Sequence, residues 1–477
     1  QNRSVVCVNC ILVFACFGLP LEMKAGGSDN GVVVIVGAGL CGAILALRLG
    51  QMKYNVQIYE RKEDWRIDDS AAHVAGEDQS LSATKRSINL ALSHRGQEML
   101  KAVGLLDQVM ETAIPMRCRA VHSKGAKGSE SSDPDAFVAY DNNNPNNFIN
   151  SVSRGNLNNI LLDAAERLPN VKIIFNSKVK KIDKDNTVWF ETTSVKANVV
   201  FGCDGAYSGT RDAMLRLLKC GNRFERRYEA HGYKELTIPP TKDGGFSLSM
   251  HEALHLWPRG KFMMIGLPNF DGSFTCTLFA PFHTEKDPRT GEITPGMMDV
   301  KTDEEIKKYF ENYFPDLVPV MPDYIRDFKT NPASQLVSIL VRPWNYEDKI
   351  VLLGDAAHAT VPFYGQGMNC AFEDVLVFTE ILAKNHHDLS LAVPEFAKTR
   401  QPDGEAIGTL SMRNYQTMSD HSGSAMFRVR KRFEGLLSWL LPDYWVPEYK
   451  MVAFTRIPYS DVVDRSNAQD WALTHGV

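Results

Sequence analysis

The sequence predicts an α/β protein: a Rossmann-type parallel sheet interleaved with an antiparallel sheet and followed by a C-terminal helical region. Three observations predict it. Val32–Val36 is an unbroken run of β-branched residues that enters Gly37-Ala38-Gly39-Leu40-Cys41-Gly42 and then a helical Ala43–Leu49, as expected of a buried parallel strand feeding a crossover helix. Much later a second apolar strand, Lys349–Leu353, runs into Gly354-Asp355. Between them, His255–Trp257, Lys261–Leu267 and Ser273–Phe279 are separated by turns at Pro258-Arg259-Gly260 and at Pro268 to Gly272. They read as a three-stranded antiparallel meander.

Composition narrows the function class. The chain has 477 residues, 44% hydrophobic and 23% charged, enough at roughly 150 residues per domain for two or three domains. Its 34 glycines and 23 prolines are ordinary usage, which excludes collagen-like and low-complexity readings. The 53 basic and 57 acidic residues leave a net charge of −4, so no global basic field exists to collect nucleic acid. A small-molecule partner is expected. The nine cysteines are scattered: Cys7 and Cys10 have no second pair with which to hold zinc, and Cys41, Cys118, Cys203, Cys220, Cys276 and Cys370 read as isolated reduced thiols. No metal is expected. The apolar run Val5–Leu21 falls short of a membrane span, and Met23 resembles a natural start. Residues 1–29 are therefore expected to be an extension outside the working protein.

The motifs carry the chemistry. A second strand, Val56–Tyr59, ends at Glu60, the position at which an acid follows a GxGxxG turn. The glycines allow a tight turn and seat a pyrophosphate on the helix N-terminus, while the acid holds ribose hydroxyls. This points to a dinucleotide and leaves FAD and NAD both open. At the later strand, Asp355 can bind a ribityl hydroxyl. Gly365-Gln366-Gly367-Met368-Asn369 before the helical Ala371–Asp374 brings bare N–H groups toward an electron-rich flavin edge. His358 reads as a structural part of that turn, and Phe427–Phe433, with four cations, as a solvated helix face.

Gly37, Gly39 and Gly42 with Glu60, the run Gly202–Arg211, and Gly354-Asp355 resemble the three motifs of single-component FAD-dependent aromatic hydroxylases. That family has the p-hydroxybenzoate hydroxylase fold. Within it the resemblance narrows to the branch acting on L-kynurenine, through Arg86–Gly96, Ile114–Arg119, Ser151–Arg154, His231–Pro240, Gly354–Asp374 and Leu410–Tyr415. It spans roughly residues 32 to 461. The resemblance implies residues 30–114, 151–224 and 341–405 as the FAD-binding domain, 115–150 and 225–340 as the substrate domain, and 406–477 as the helical region.

The resemblance also implies roles. Tightly bound FAD would be held by Gly37, Gly39, Gly42, Glu60, Arg61, Ala91, Arg154, Asp204, Gly205, Gly209, Asp355, Gly367, Met368 and Asn369. Arg119 and Tyr140 would clamp the substrate carboxylate, and Asn414 and Tyr449 would add polar contacts. Pro362, Phe363 and Gln366 would shape the catalytic side of the flavin. The implied reaction is NADPH- and O2-dependent hydroxylation of L-kynurenine to 3-hydroxykynurenine through a flavin C4a-hydroperoxide. The middle motif would serve both FAD and NADPH, and no second GxGxxG is present.

Three departures stand out. Residues 67–84 and 124–136 read as polar loop insertions, and Gly209 stands where vertebrate members carry threonine. Family members also carry a C-terminal hydrophobic anchor to the cytosolic face of the mitochondrial outer membrane. The chain reaches Val477 without such a run, so a truncated form is expected. Two other readings remain: a hydroxylase of another aromatic acid, and a non-catalytic binding module on a flavoprotein fold.

Overall fold

A computed structural model describes residues 31–67, 89–123, 133–141, 144–219, 224–288, 290–420 and 444–475, together with 437 and 440. The expected N-terminal extension, the stretch 68–88 that includes Arg86 to Ile88, and Phe427–Phe433 lie outside the described residues.

Val32–Val36 forms the centre of the first sheet. It pairs in parallel with Asn55–Tyr59 on one side and Ser194–Gly202 on the other. Val171–Ile174 and Ile350–Leu352 extend the parallel set, Asn345–Tyr346 adds an antiparallel edge, and two short strands bring the total to eight. Val34, Ile35, Val200 and Ile350 are fully buried, because helices cover both faces and a continuous apolar run suits neither face to water. The helix Leu40–Gln51 follows the glycine turn and packs on Arg154–Glu166.

The second sheet has seven strands and is larger than the meander read from sequence. Ala253–Pro258, Met263–Pro268 and Phe274–Pro281 do form that meander. The long strand Phe224–Ile238 joins it on one side with Ser334–Val341 beyond, and Cys118–Val121 joins it on the other with Ala136–Ala139 beyond. The expected loop 124–136 therefore ends in strand rather than loop. Its last residue, Ala136, opposes Val121, while 124–132 lie outside the described residues. A separate core of Trp257, Phe274, Phe310, Phe314 and Phe328 backs this sheet.

Two C-terminal helices, Glu448–Phe454 and Tyr459–His475, pack with Leu389–Asp420 beside the motif helix Gly367–Lys384. The helical region expected over 406–477 is helix up to Asp420 and again in those two helices; most of 421–443 lies outside the described residues. No helix among the described residues is long and apolar enough to cross a membrane.

Candidate active site

The phosphate turn is built by close approach. Gly37 has φ +100°, and a Cβ there would lie 2.6 Å from the Cys203 carbonyl; a Cβ at Gly42 would lie 1.9 Å from the Gly37 carbonyl. Larger residues cannot make this turn. Gly39 is exposed with nothing near its would-be Cβ, and the helix behind it has no side-chain cap, so its first-turn N–H groups face open space. Glu60 closes the turn: one carboxylate oxygen accepts from Ala38 N at 2.9 Å and the other from Lys62 N at 3.0 Å. Each oxygen keeps a lone pair for a hydroxyl. Asn158 is buried and donates to the Ala38 carbonyl at 3.1 Å, while its Oδ1 has no partner among the described residues.

The other two motifs converge on the same edge. Asp204 accepts from Thr210 N at 3.0 Å and from the Ser208 and Thr210 hydroxyls. Burial still pushes its carboxyl above the usual range. Gly205 has φ +81°, and Gly209 opens a helix where a Cβ would meet only Asp204, at 3.9 Å; a larger residue fits there. Arg211, buried, donates to the Ala356 and Ala206 carbonyls and so ties the second motif to the third. Asp355, Arg61 and Arg154 are exposed, and Ala91 is half-buried. The helix Gly367–Lys384 begins without a side-chain cap and with open space at Gly367. Met368 is largely buried beside it. Asn369 spends its side chain on the protein, donating to the Ala91 and Gly365 carbonyls and accepting from Ser93 N, so only its backbone can serve a ligand. Two uncapped helix starts, an acid at the second strand and an orphaned amide oxygen fit a dinucleotide.

The substrate-side residues fall into two groups: Arg119, Tyr140 and Tyr449 meet, and Phe363 and Asn414 meet. Arg119, on the strand beside Ala253–Pro258, stacks its guanidinium 4.4 Å from the Tyr449 ring and 5.2 Å from Tyr140. Tyr140 and Tyr449 stack on each other at 5.3 Å. Arg119 Nε and Tyr140 Oη are buried and have no hydrogen-bond partner among the described residues. Burial pushes the Tyr140 hydroxyl well above its ordinary value, so it stays a neutral donor. Pro362 is exposed at the start of a 3₁₀ turn, Phe363 stacks on Tyr415 at 4.1 Å, and Asn414 donates to the Phe363 carbonyl at 2.7 Å. Gln366 is buried; its amide donates to Ser93 Oγ at 3.3 Å and accepts from Tyr459 Oη at 3.0 Å.

Sequence reasoning missed Tyr364, which stacks on Tyr449 at 5.5 Å and donates to Glu448 at 3.1 Å, and Tyr459. Tyr364 lies inside the quoted Gly354–Asp374 block and could have been taken from it. Tyr459 carries no local signal.

Behind the motif helix lies a buried ionic network. Glu373 accepts from Arg95 at 2.7 and 2.8 Å and from Arg400 at 2.7 Å, and Asp374 pairs with Arg400 at 2.8 Å and His358 at 2.6 Å. Burial works against charge on His358, but the neighbouring Asp374 prevails and holds it well above the usual imidazole value. His358, Cys370 and Asp374 bring ligand atoms within 4.8 Å of one another. Arg400 already donates to Asp374 and to the Cys370 sulfur, so a guanidinium holds the position a cation would take.

The FAD binding domain family matches residues 31–217 and 284–388. The chain is similar to kynurenine 3-monooxygenases of Anopheles gambiae (40% identical over 451 residues, covering 93% of this chain and 86% of the relative) and Dictyostelium discoideum (38% over 446 residues, 90% of each). The relative from Sus scrofa is 38% identical over 441 residues, covering 91% and 86%. Among solved structures, the tetrameric form of 2-methyl-3-hydroxypyridine-5-carboxylic acid oxygenase superposes with a TM-score of 0.63 at 20% identity, covering 83% of this chain and 95% of that one. That likeness bears on the fold.

Proposed function

The chain belongs to the kynurenine 3-monooxygenase family of FAD-dependent hydroxylases, and from that premise we propose that it hydroxylates L-kynurenine at C3 of the ring with NADPH and O2. It is an FAD-dependent monooxygenase. The observation that carries the substrate reading is the pair of orphaned buried groups, Arg119 Nε and Tyr140 Oη. A buried donor without a partner costs roughly 1–3 kcal/mol, and an amino-acid carboxylate would satisfy both donors. The guanidinium offers a planar fork matched to a carboxylate, and the phenol adds one more bond.

FAD would be held by the phosphate turn, Glu60, Asp204 and the start of the Gly367–Lys384 helix, and would supply there the redox chemistry toward NADPH and O2 that no side chain offers. The chain's own residues position and seal. Arg119, Tyr140 and Tyr449 fix the tail, and Asn414 holds the Phe363 carbonyl so that the Pro362–Tyr364 turn keeps its shape. Phe363 and Tyr415 stack to exclude water. Gln366, oriented from both sides by Ser93 and Tyr459, presents a fixed edge. No general base is needed at the ring, because the aniline nitrogen already pushes electrons to the neighbouring carbon; His358 is engaged with Asp374 and plays no part.

The test compares L-kynurenine, p-hydroxybenzoate and salicylate as stimulators of NADPH oxidation by the purified protein. Stimulation by kynurenine alone is expected. Stimulation by another acid in its place would transfer the reading to that acid, and a colourless protein would favour a binding module.

A further inference from the structure

Cys41 and Cys203 are 162 positions apart, and the sequence shows them as isolated thiols. In the fold the Cys41 S–H donates to the Cys203 sulfur at 3.8 Å. Cys41 lies in the phosphate turn and Cys203 directly precedes Asp204. The third motif meets them too, since a Cβ at Gly354 would lie 3.1 Å from the Cys41 sulfur. The three stretches that surround the FAD site therefore touch at one sulfur pair. Cys203 is buried and Cys41 half-buried, so Cys41 is the more accessible residue of the pair. Cys118, Cys276 and Cys370, the remaining described thiols, are buried.

We propose that Cys41 and Cys203 are an oxidisable dithiol that hydrogen peroxide closes to a disulfide in FAD-free protein, and that this disulfide blocks FAD loading. The proposal rests on the FAD reading of the turn. The Cys41 sulfur attacks one peroxide oxygen, the O–O bond breaks, and Cys41 becomes a sulfenic acid as water leaves. The Cys203 sulfur then displaces the sulfenic oxygen, which leaves as a second water when it takes the Cys203 proton. Two electrons pass from the two sulfurs to the peroxide. Bonding distance is about 2.05 Å, so the sulfurs must approach by well over an ångström. That movement falls on the turn between Gly37 and Gly42, where the backbone is already in close contact, and it distorts the seat of the pyrophosphate. The bond to Cys203, followed by burial, pushes the Cys41 thiol well above its ordinary value. The Cys41 thiol is thus held protonated and reacts slowly, and a dinucleotide seated on the turn shields it.

The experiment exposes holoenzyme and FAD-stripped protein to hydrogen peroxide, alkylates free thiols, and maps linked peptides by mass spectrometry. FAD affinity is followed by flavin fluorescence before oxidation, after it, and after dithiothreitol. A Cys41–Cys203 linked peptide is expected in the stripped protein, at least tenfold less of it in the holoenzyme. A loss of FAD affinity of at least tenfold should be reversed by the thiol reductant. Cys203→Ala should keep its FAD affinity through the same treatment, and Cys41→Val serves if that variant does not fold. Absence of the linked peptide, a linked peptide with FAD affinity unchanged, or equal loss of affinity in the variants would overturn the proposal. Untreated stripped protein that cannot rebind FAD would overturn the FAD reading along with it.

Discussion

Arg119 reaches its place because Cys118–Val121 pairs in parallel with the meander's edge, with Arg119 opposite Leu254, and Tyr140 follows the next strand out. Burial works against the Arg119 charge, but the Tyr449 and Tyr140 side chains stacked against it prevail and hold it above its ordinary value. The guanidinium stays charged at any working pH, as the proposed carboxylate clamp requires. Arg119→Ala should weaken L-kynurenine binding by about 1.5–3 kcal/mol, the scale of a charged hydrogen bond, in a spectral titration of the flavin. The flavin spectrum without substrate should stay unchanged; loss of FAD would place Arg119 elsewhere. The glycine turn and Glu60 were legible in the sequence because their chemistry is local in spacing. Arg119, Tyr140, Asn414 and Tyr449 were not, since nothing in their local patterns marks them; only family likeness assembled them.

At the scale of elements, the motif helix Gly367–Lys384 is locked by charge rather than by its caps. Arg95 bridges it to the C-terminal helices, donating to the Val452 and Ile457 carbonyls as well as to Glu373. The helix bearing Tyr449 is thereby referenced to the helix bearing Gln366. Glu373→Ala leaves Arg95 buried without its carboxylate, which costs about 3–5 kcal/mol. Denaturant titration should show that loss, and a change near zero would mean that water or another acid replaces Glu373. The central strands and the meander were legible from apolar runs and turn residues. The long strand Phe224–Ile238 was not: Glu225, Arg226, Arg227, Glu229, Lys234 and Glu235 break its apolar pattern. Neighbours on both sides override propensity there, and the buried Lys234 is satisfied by the Phe328 and Asn331 carbonyls at 2.6 and 3.1 Å.

Three buried histidines among the described residues bear on the pH response. Burial pushes His122 down to about 3 and His255 to about 4, while Asp374 holds His358 well above its ordinary value. Below pH 6.5 the unfolded chain protonates all three, whereas the fold protonates only His358. Stability therefore falls as pH drops from 6.5 toward 4, by up to about 2.7 kcal/mol per pH unit for two protons. Above 6.5 the sign reverses, since the fold alone keeps the His358 proton, and its contribution is lost as pH rises through the raised value. Thermal unfolding between pH 5 and 9 should show a maximum near neutrality. A Tm that rises steadily toward pH 5 would contradict this assignment. Burial is the main cause of the two lowered values, and the same packing brings His122 Nε2 within 2.9 Å of His255 Nδ1, a pairing across 133 residues that no sequence spacing announces.

The proposed hydroxylation of L-kynurenine draws on both sheets and on the C-terminal helices. The most direct measurement is NADPH oxidation by the purified flavoprotein with and without L-kynurenine, with the product read by mass. The account predicts kynurenine-stimulated turnover and a product carrying one added oxygen atom on the ring. Stimulated oxidation that yields peroxide and no hydroxylated product, or no response to kynurenine at all, would contradict it.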